Sequence, residues 1–444
     1  MILENNQAVQ IEEISPVKRK LTFDVTWEDV RKEMDAVLRE IGKEAKIKGF
    51  RKGKVPKSIL ELYYKDRIEE ETISNLIKRY YFQAIKEYQI NAVNWPEIEQ
   101  NGIEREKNFV FTAYVETMPE VEPKGYQNLK VEKPLYEVTE EDIARRLEEY
   151  RQMFAVMEEV NEDRGVKEGD YVTIDFSGTI DGVKRSELGE ENFFLKVGEG
   201  RFIPGFEKEL IGMKRGEVKE VLITFPEDYY VKEIAGREAE FTVHLKSIKE
   251  RKVPELNEDF IANFEKYKSI DDLKEEIRQS LVREYEEASE RGLMEAIEEE
   301  LLAANEFEVP PSFVEREYNY QAAERQRMMA RYGVGPYEFK EQEEKFAVEY
   351  RRRAERSVRL AIILDRIAQR EGISVEEDEI EKRIDELAAK AREQEAVKKY
   401  YREEEAARGA LKERILVEKV LNFVKEKAEI REVKREMYGE VKGK

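Results

Sequence analysis

The sequence predicts a multidomain α+β chain, in which an N-terminal α+β domain and an antiparallel β domain precede an all-α C-terminal part. Three observations predict it. The chain has 444 residues and is 40% hydrophobic, enough for about three cores at ~150 residues apiece. Between about 161 and 250, apolar residues alternate with polar ones and glycines punctuate the runs, as in short strands. From 251 to 444 the apolar residues recur at helical spacing, with breaks at Pro310-Pro311, Gly333-Val334-Gly335-Pro336 and Gly372.

Within residues 1–117, Leu21-Thr22-Phe23-Asp24-Val25 alternates like a strand. Thr26 with Asp29 three positions on has the form of a helix cap, and Val30, Met34, Val37, Leu38 and Ile41 then share one helical face. Helical stretches are expected around Ser58–Lys65 and Ile68–Tyr88, and Asn101-Gly102 marks a turn before a strand over Asn108–Thr117. Residues 118–160 read as a connector: Pro119 and Pro123, a strand-like Leu129–Tyr136, then a helix from Glu140 to Val160 capped by Thr139 with Asp142. Residues 161–250 offer strands at Tyr171–Phe176, Phe194–Val197, Val218–Phe225 and Phe241–Ile248, with one short helix near Gly205–Ile211. In residues 251–444 helices are expected over Ile270–Asn305, Pro311–Tyr332, Tyr337–Arg370, Glu376–Tyr400 and Ala406–Ala428; no sustained heptads argue for a coiled coil.

Composition excludes several functions. There is no cysteine, which removes disulfides and thiolate catalysis, and a single histidine, His244, which leaves a His-based triad or a multi-histidine metal site little to work with. His244 alternates with Val243 and Leu245 and reads as structural or exposed rather than catalytic. No Walker-type Gly-x-x-x-x-Gly-Lys-Ser/Thr loop is present. No cofactor and no metal are expected. No apolar run approaches the ~18 residues of a membrane span, and Met1-Ile2-Leu3-Glu4-Asn5 does not open a secretory signal, so a cytoplasmic protein is expected. Acidic residues outnumber basic ones by 100 to 79, giving a net charge of −21. An acidic chain repels phosphates, which makes a local basic cluster informative.

One such cluster runs from Lys46 to Lys57. Lys46, Lys48, Arg51, Lys52, Lys54 and Lys57 face no acidic residue in the segment, Gly49, Gly53 and Pro56 shape a turn, and Phe50 sits among the charges. An aromatic in a basic turn can enter a crevice while Arg and Lys engage phosphates or carboxylates. The bland alternative is a solvated turn with Phe50 folded into the core. The string Gly49-Phe50-Arg51-Lys52-Gly53-Lys54-Val55-Pro56 resembles the signature of the trigger factors, bacterial ribosome-associated chaperones. The resemblance implies ribosome binding beside the nascent-chain exit tunnel, on ribosomal protein and rRNA. Gly49, Phe50, Arg51, Lys52, Gly53, Lys54 and Pro56 would carry it, with Phe50, Arg51 and Lys52 at the centre. It also implies a domain order matching this chain: ribosome-binding domain (1–117), connector (118–160), a middle domain (161–250) and a helical chaperone domain with arms (251–444).

The middle segment is similar to the FKBP-type prolyl isomerases. Thr173-Ile174-Asp175-Phe176-Ser177-Gly178, the run from Val197 to Glu207, and Phe225-Pro226-Glu227-Asp228-Tyr229 carry the resemblance. It implies a pocket lined by Phe176, Phe193, Phe202, Ile203, Phe206, Tyr229 and Phe241, with the Ile203 backbone N–H facing the substrate carbonyl. Such a site needs no nucleophile. The barrier to X–Pro rotation is ~18–20 kcal/mol, and an apolar pocket favours the twisted, less polar amide. After Asp181-Gly182 the family pattern has a Phe and an acidic residue; here Arg185 and Ser186 stand there, which predicts weak or selective isomerase activity. The alternative is a plain aromatic core.

The helical part carries no catalytic motif. Phe307, Phe313, Tyr318, Tyr320, Met328, Met329, Tyr332, Phe339, Phe346, Tyr400 and Tyr401 are scattered among its charges. Most are expected to pack helices together, and the remainder to offer small patches suited to many sequences. The leading reading is an ATP-independent chaperone that binds nascent and unfolded polypeptides and carries an isomerase domain. A soluble prolyl isomerase whose other domains recruit substrate is the alternative, and a helical scaffold without chaperone role leaves both motif matches unexplained. The resemblance also implies a homodimer off the ribosome, a point the residues leave open.

Overall fold

The computed structural model describes residues 9–437, apart from Gly49, Lys52, Arg201, Asp228, Tyr230, Val231 and Glu265 and the side chains of Ser186, Tyr337 and Glu338. The contacts divide the chain into two bodies, one of residues up to 134 with 290–433, the other of 135–289 with the residues after 433.

The first body begins with β1 (Val9–Ser15), β2 (Lys18–Val25), α1 (Trp27–Glu44), α2 (Lys57–Tyr63), α3 (Lys65–Glu87), β3 (Glu97–Gln100) and β4 (Phe109–Glu116). Its strands form an antiparallel sheet in the order β1-β2-β4-β3. Alternation along β2 and β4 sends Leu21, Phe23, Val25, Phe109, Phe111 and Ala113 to one face, against Val30 of α1 and Leu76 and Tyr80 of α3. Phe23 stacks on Phe111 with centroids 4.5 Å apart. Each such side chain removed from water contributes ~1.5–3 kcal/mol. Thr26 caps α1 by accepting the Asp29 N–H, as predicted. Strand β1 was not foreseen: it is an edge strand, largely exposed, and an edge without a buried face leaves no alternation to read.

The body boundaries fall within β5 (Lys130–Tyr136) and the later α7. Between them lie α4 (Glu140–Met153), β6 (Val156–Glu159), β7 (Tyr171–Ile180), β8 (Val183–Lys196), α5 (Phe206–Leu210), β9 (Val218–Thr224), β10 (Glu238–Lys252) and α6 (Glu258–Ile261), and α7 spans Ile270–Ala304. Thr139 and Asp142 form the predicted reciprocal capping box of α4. The helix expected to reach Val160 ends at Met153 instead. Phe154 turns its ring onto Phe264 (5.0 Å) and Phe260 (5.8 Å), and residues 156–159 pair antiparallel with Lys249–Lys252 as β6. Tertiary pairing overrides the helix propensity of Met157-Glu158-Glu159. The sheet runs β6-β10-β7-β8, with β9 on β10. Strand β8 begins eleven residues earlier than the predicted Phe194–Val197, at Val183; its first half follows a bulged register with β7 and has no simple alternation.

The first body resumes with α7 and continues through α8 (Pro311–Arg331), α9 (Pro336–Glu371), α10 (Glu377–Ala389), α11 (Gln394–Glu403), α12 (Glu405–Lys427) and β11 (Glu429–Arg435), which pairs with β5. Leu293, Ile297 and Leu301 of α7, Ile363 and Ile367 of α9 and Val420 and Val424 of α12 share one core with Tyr126, Leu129 and Val131. Asn305 fastens the connector to it: its side chain accepts the Lys124 N–H (2.8 Å) and donates to the carbonyls of Lys124 (2.9 Å) and Leu301 (2.8 Å). The single helix expected over Glu376–Tyr400 is two. The chain folds back after Ala389, so that Lys398 meets Asp385 (2.7 Å) and Arg402 meets Glu381 (2.7 Å); no Gly or Pro marks this break. Nor was the short, charged β11 expected in a wholly helical segment. Helix α8 buries no residue fully; it is held to α9 by Phe313 and Val314 against Val358 and Ile362 and by polar contacts, Arg325 to Glu343 (2.5 Å) and Arg325 over the Tyr350 ring (3.9 Å).

Candidate functional site

Two sites take shape, one in each body. The first is the basic turn between α1 and α2. Its ends are pinned by Ile47 and Val55, which pack against Val37, Leu38, Ile41, Leu60 and Ile68. Between them the chain makes two tight turns, the Phe50 N–H bonding the Ile47 carbonyl (3.1 Å) and the Lys54 N–H the Arg51 carbonyl (2.9 Å). Gly53 sits at φ +76°, a left-handed geometry a side chain resists. Phe50 is 41% exposed, which removes the folded-back alternative. Lys46, Lys48, Arg51 and Lys54 are exposed and form no ion pair among the described residues, whereas Lys57 is tied to Asp35 and Glu61. Gly49 and Lys52 lie outside the described residues. Pro56 caps α2.

The second site is a knot of rings in the β domain. Phe176 projects from β7, Phe193 from β8, Phe206 from α5 and Phe241 from β10; Phe202 and Ile203 come from the loop before α5, and Tyr229 follows β9. Phe176 meets Phe193 at 5.5 Å, Phe202 at 5.4 Å and Phe206 at 5.9 Å, all edge-to-face. Phe202 lies 4.7 Å from Phe206, and Phe206 5.4 Å from Phe241. These are the separations at which ring quadrupoles attract. Phe206 and Phe241 are completely buried, while Phe176, Phe193, Phe202 and Tyr229 are partly open. The structure brings the seven expected residues into one cluster and sorts its rings into an inner and an outer layer. Within the set only Tyr229 is ionisable, so what the cluster can do chemically is strip water from an amide and shape it.

Three residues that hold the cluster stand in the strings that carry the isomerase resemblance but have no role of their own in it. Phe225 is buried and joins Tyr229 (4.8 Å) and Phe241 (6.4 Å). Gly178 is where Phe241 packs: a Cβ there would stand 2.8 Å from the ring and 2.9 Å from the Leu188 Cβ. A glycine inside a strand is the signal for such an approach. Glu207 is 6% exposed and its carboxylate accepts the N–H groups of Gly198 (2.8 Å), Gly200 (2.9 Å) and Phe202 (3.2 Å), fixing the loop that carries Phe202 and Ile203. Its signal was an acidic residue in the first turn of a helix after Gly205.

Asp175 looks at first like a candidate acid. The Asn192 backbone N–H (2.7 Å) holds its carboxyl below the ordinary range, with Lys246 assisting. That keeps it ionised and binds β7 to β8. His244 lies with Nδ1 3.8 Å from the same carboxylate and is 45% exposed, a surface residue as read. Among the described residues no group of three His, Asp or Glu side chains is placed to hold a metal. In the helical part, Tyr320, Met328, Tyr332, Phe346 and Tyr400 are exposed, and the other six singled-out side chains are half-buried. A cleft of about 460 Å³ lies among Met118, Phe313, Val358, Ile362, Leu416 and Val417.

Three family profiles match the chain. Residues 7–150 match the bacterial trigger factor protein, residues 269–426 the trigger factor C-terminus, and residues 162–246 the FKBP-type peptidyl-prolyl cis-trans isomerases. A trigger factor of Syntrophus aciditrophicus is 45% identical over 386 residues, covering 87% of each chain. One of Geobacter sulfurreducens is 36% identical over 96% of this chain and 99% of its own. A solved structure described as the trigger factor chaperone aligns with 94% of this chain and 98% of its own at 22% identity, with a TM-score of 0.48.

Proposed function

We propose, for a chain that belongs to the trigger factor family, a division of labour among its parts. Residues 1–117 dock on the ribosome beside the exit tunnel. Residues 118–160 connect, residues 161–250 form the FKBP-type peptidyl-prolyl isomerase domain, and residues 251–444 hold nascent and unfolded chains without ATP. Off the ribosome, in the cytoplasm, a second copy of the chain occupies the same apolar surfaces.

The observation that carries the docking role is the turn itself. Phe50 is exposed at its tip, and four cations around it pair with no described carboxylate on a protein of net charge −21. Unpaired, exposed cations are ready to replace counterions on a phosphate backbone. Gly49, Phe50, Arg51, Lys52, Gly53, Lys54 and Pro56 are the residues assigned to it. The test is co-sedimentation of the full chain with ribosomes, comparing wild type with the triple variant Phe50→Ala, Arg51→Ala, Lys52→Ala. Binding falls at least tenfold if the turn is the contact; unchanged binding overturns the assignment.

For the isomerase, Phe176, Phe193, Phe202, Ile203 and Tyr229 are assigned to the wall that meets the proline, and Phe206 and Phe241 to the layer that supports it. The wall desolvates the X–Pro amide, which favours the twisted form that has lost its resonance, and the Ile203 N–H donates to a substrate carbonyl and so positions the peptide. Phe206→Ala separates this role from holding: isomerisation disappears while suppression of aggregation persists.

A further inference from the structure

We propose that Arg185 makes the isomerase site selective for proline segments that carry a carboxylate, an Asp or Glu side chain beside the proline. The proposal rests on the isomerase reading of this domain.

Strand register puts Arg185 at the site. Phe241 on β10 is paired with Gly178 on β7, and Gly178 with Arg185 on β8. Directly paired residues project to the same face of a sheet. Phe241 defines that face, its ring buried against Phe206 and 6.2 Å from Phe176. The glycine between contributes no side chain, so the row holds a ring at one end and a guanidinium at the other. The register of β8 slips here. Ser177 faces Gly189 but Gly178 faces Arg185, so residues 186–188 form a bulge that returns Leu188 to the interior. Bulges re-aim side chains at sites of this kind.

Arg185 is poised for an acceptor it does not have. Its Nε is buried and has no hydrogen-bond partner. Its one ion pair among the described residues is to Glu187, at 3.9 Å and largely in solvent. A buried donor without an acceptor is unusual; the side chain as a whole is 42% exposed, so a carboxylate reaches the guanidinium from its open edge. A guanidinium fork matches a carboxylate with two parallel bonds. A substrate carbonyl can take the same exposed N–H groups, but it is uncharged, so charge reversal and salt separate the two occupants.

The test uses the full chain with the peptides Ala-Glu-Pro-Phe, Ala-Leu-Pro-Phe and Ala-Lys-Pro-Phe, isomerisation being followed by NMR exchange. Wild type turns over the Glu peptide with kcat/KM about three- to fivefold above the Lys peptide, the worth of one partly exposed ion pair. Leu falls between, the difference lies mainly in KM, and it shrinks at about 0.5 M salt. Arg185→Gln flattens the ranking and Arg185→Glu reverses it. Equal turnover of all three peptides by wild type, or an unchanged ranking in Arg185→Gln, overturns the role of Arg185 and leaves the isomerase standing. Should wild type turn over no peptide faster than Phe206→Ala does, the isomerase reading falls and the proposal with it. The wild-type ranking and its salt dependence decide the matter even if a variant fails to fold.

Discussion

Replacing Glu207 by Gln keeps the shape of the side chain and removes its charge and one acceptor oxygen. In the native domain Oε2 takes the N–H groups of Gly198 and Gly200, and Oε1 that of Phe202. Whichever way the amide turns, at least one of these part-buried N–H groups faces an NH₂ group, at ~1–3 kcal/mol. The retained bonds lose their charge assistance and fall from ~1.5–3 to ~0.5–1.5 kcal/mol each. The sum is about 3–6 kcal/mol, and its lower end, about 3–4, applies because the N–H groups are only part-buried. For a domain of ~100 residues, 1 kcal/mol shifts the transition by ~4–8 °C, so the thermal transition of the β domain falls by roughly 15 °C. The loop also carries Phe202 onto Phe206, so kcat/KM for a proline peptide falls at a temperature where the variant is still folded. Calorimetry of the full chain and NMR exchange measure the two effects. A transition within about 2 °C of wild type with unchanged kcat/KM refutes the reasoning, because the three bonds would then not be what holds the loop.

Two further outcomes are expected in the first body. Asn305→Ala leaves the backbone groups of Lys124 and the Leu301 carbonyl without their partner, costing about 2–4 kcal/mol. The urea midpoint falls and the Lys124 amide exchanges faster; protection equal to wild type would show that the connector is held by other means. Glu290 lies between Lys133 and Lys425, whose hydrogen bonds, Lys133 first, hold its carboxyl below the ordinary range. A depressed folded value gives stability that is present above the unfolded value and lost as pH falls through the folded one. Glu290→Gln therefore lowers the urea midpoint at pH 7, and the gap to wild type closes below about pH 4. A gap of the same size at both pH values would exclude the ion pairs as its source.

The sequence by itself determined what is local. Thr139 with Asp142 wrote the start of α4. The glycines and proline of the basic segment wrote its turn, and the charges within it stood out against an acidic chain. The order of the parts followed from alternation giving way to helical period. In each case the deciding residues lie within a few positions of one another, and the signal survives without the fold.

Only the tertiary structure decided what depends on pairing between distant segments. Residues 156–159 leave their helix because Lys249–Lys252 offer them a strand. The chain breaks after Ala389 where the returning α11 lays Tyr401 against the core of Ile380, Ile384, Leu411 and Ile415, with Lys398 and Arg402 meeting Asp385 and Glu381 at its edge. Phe206 and Phe241 drop beneath the outer rings, and Arg185 joins their face across a glycine, because register between strands places them there. Register moves every side chain it governs to one face or the other, and it is set by contacts that no short window of sequence contains.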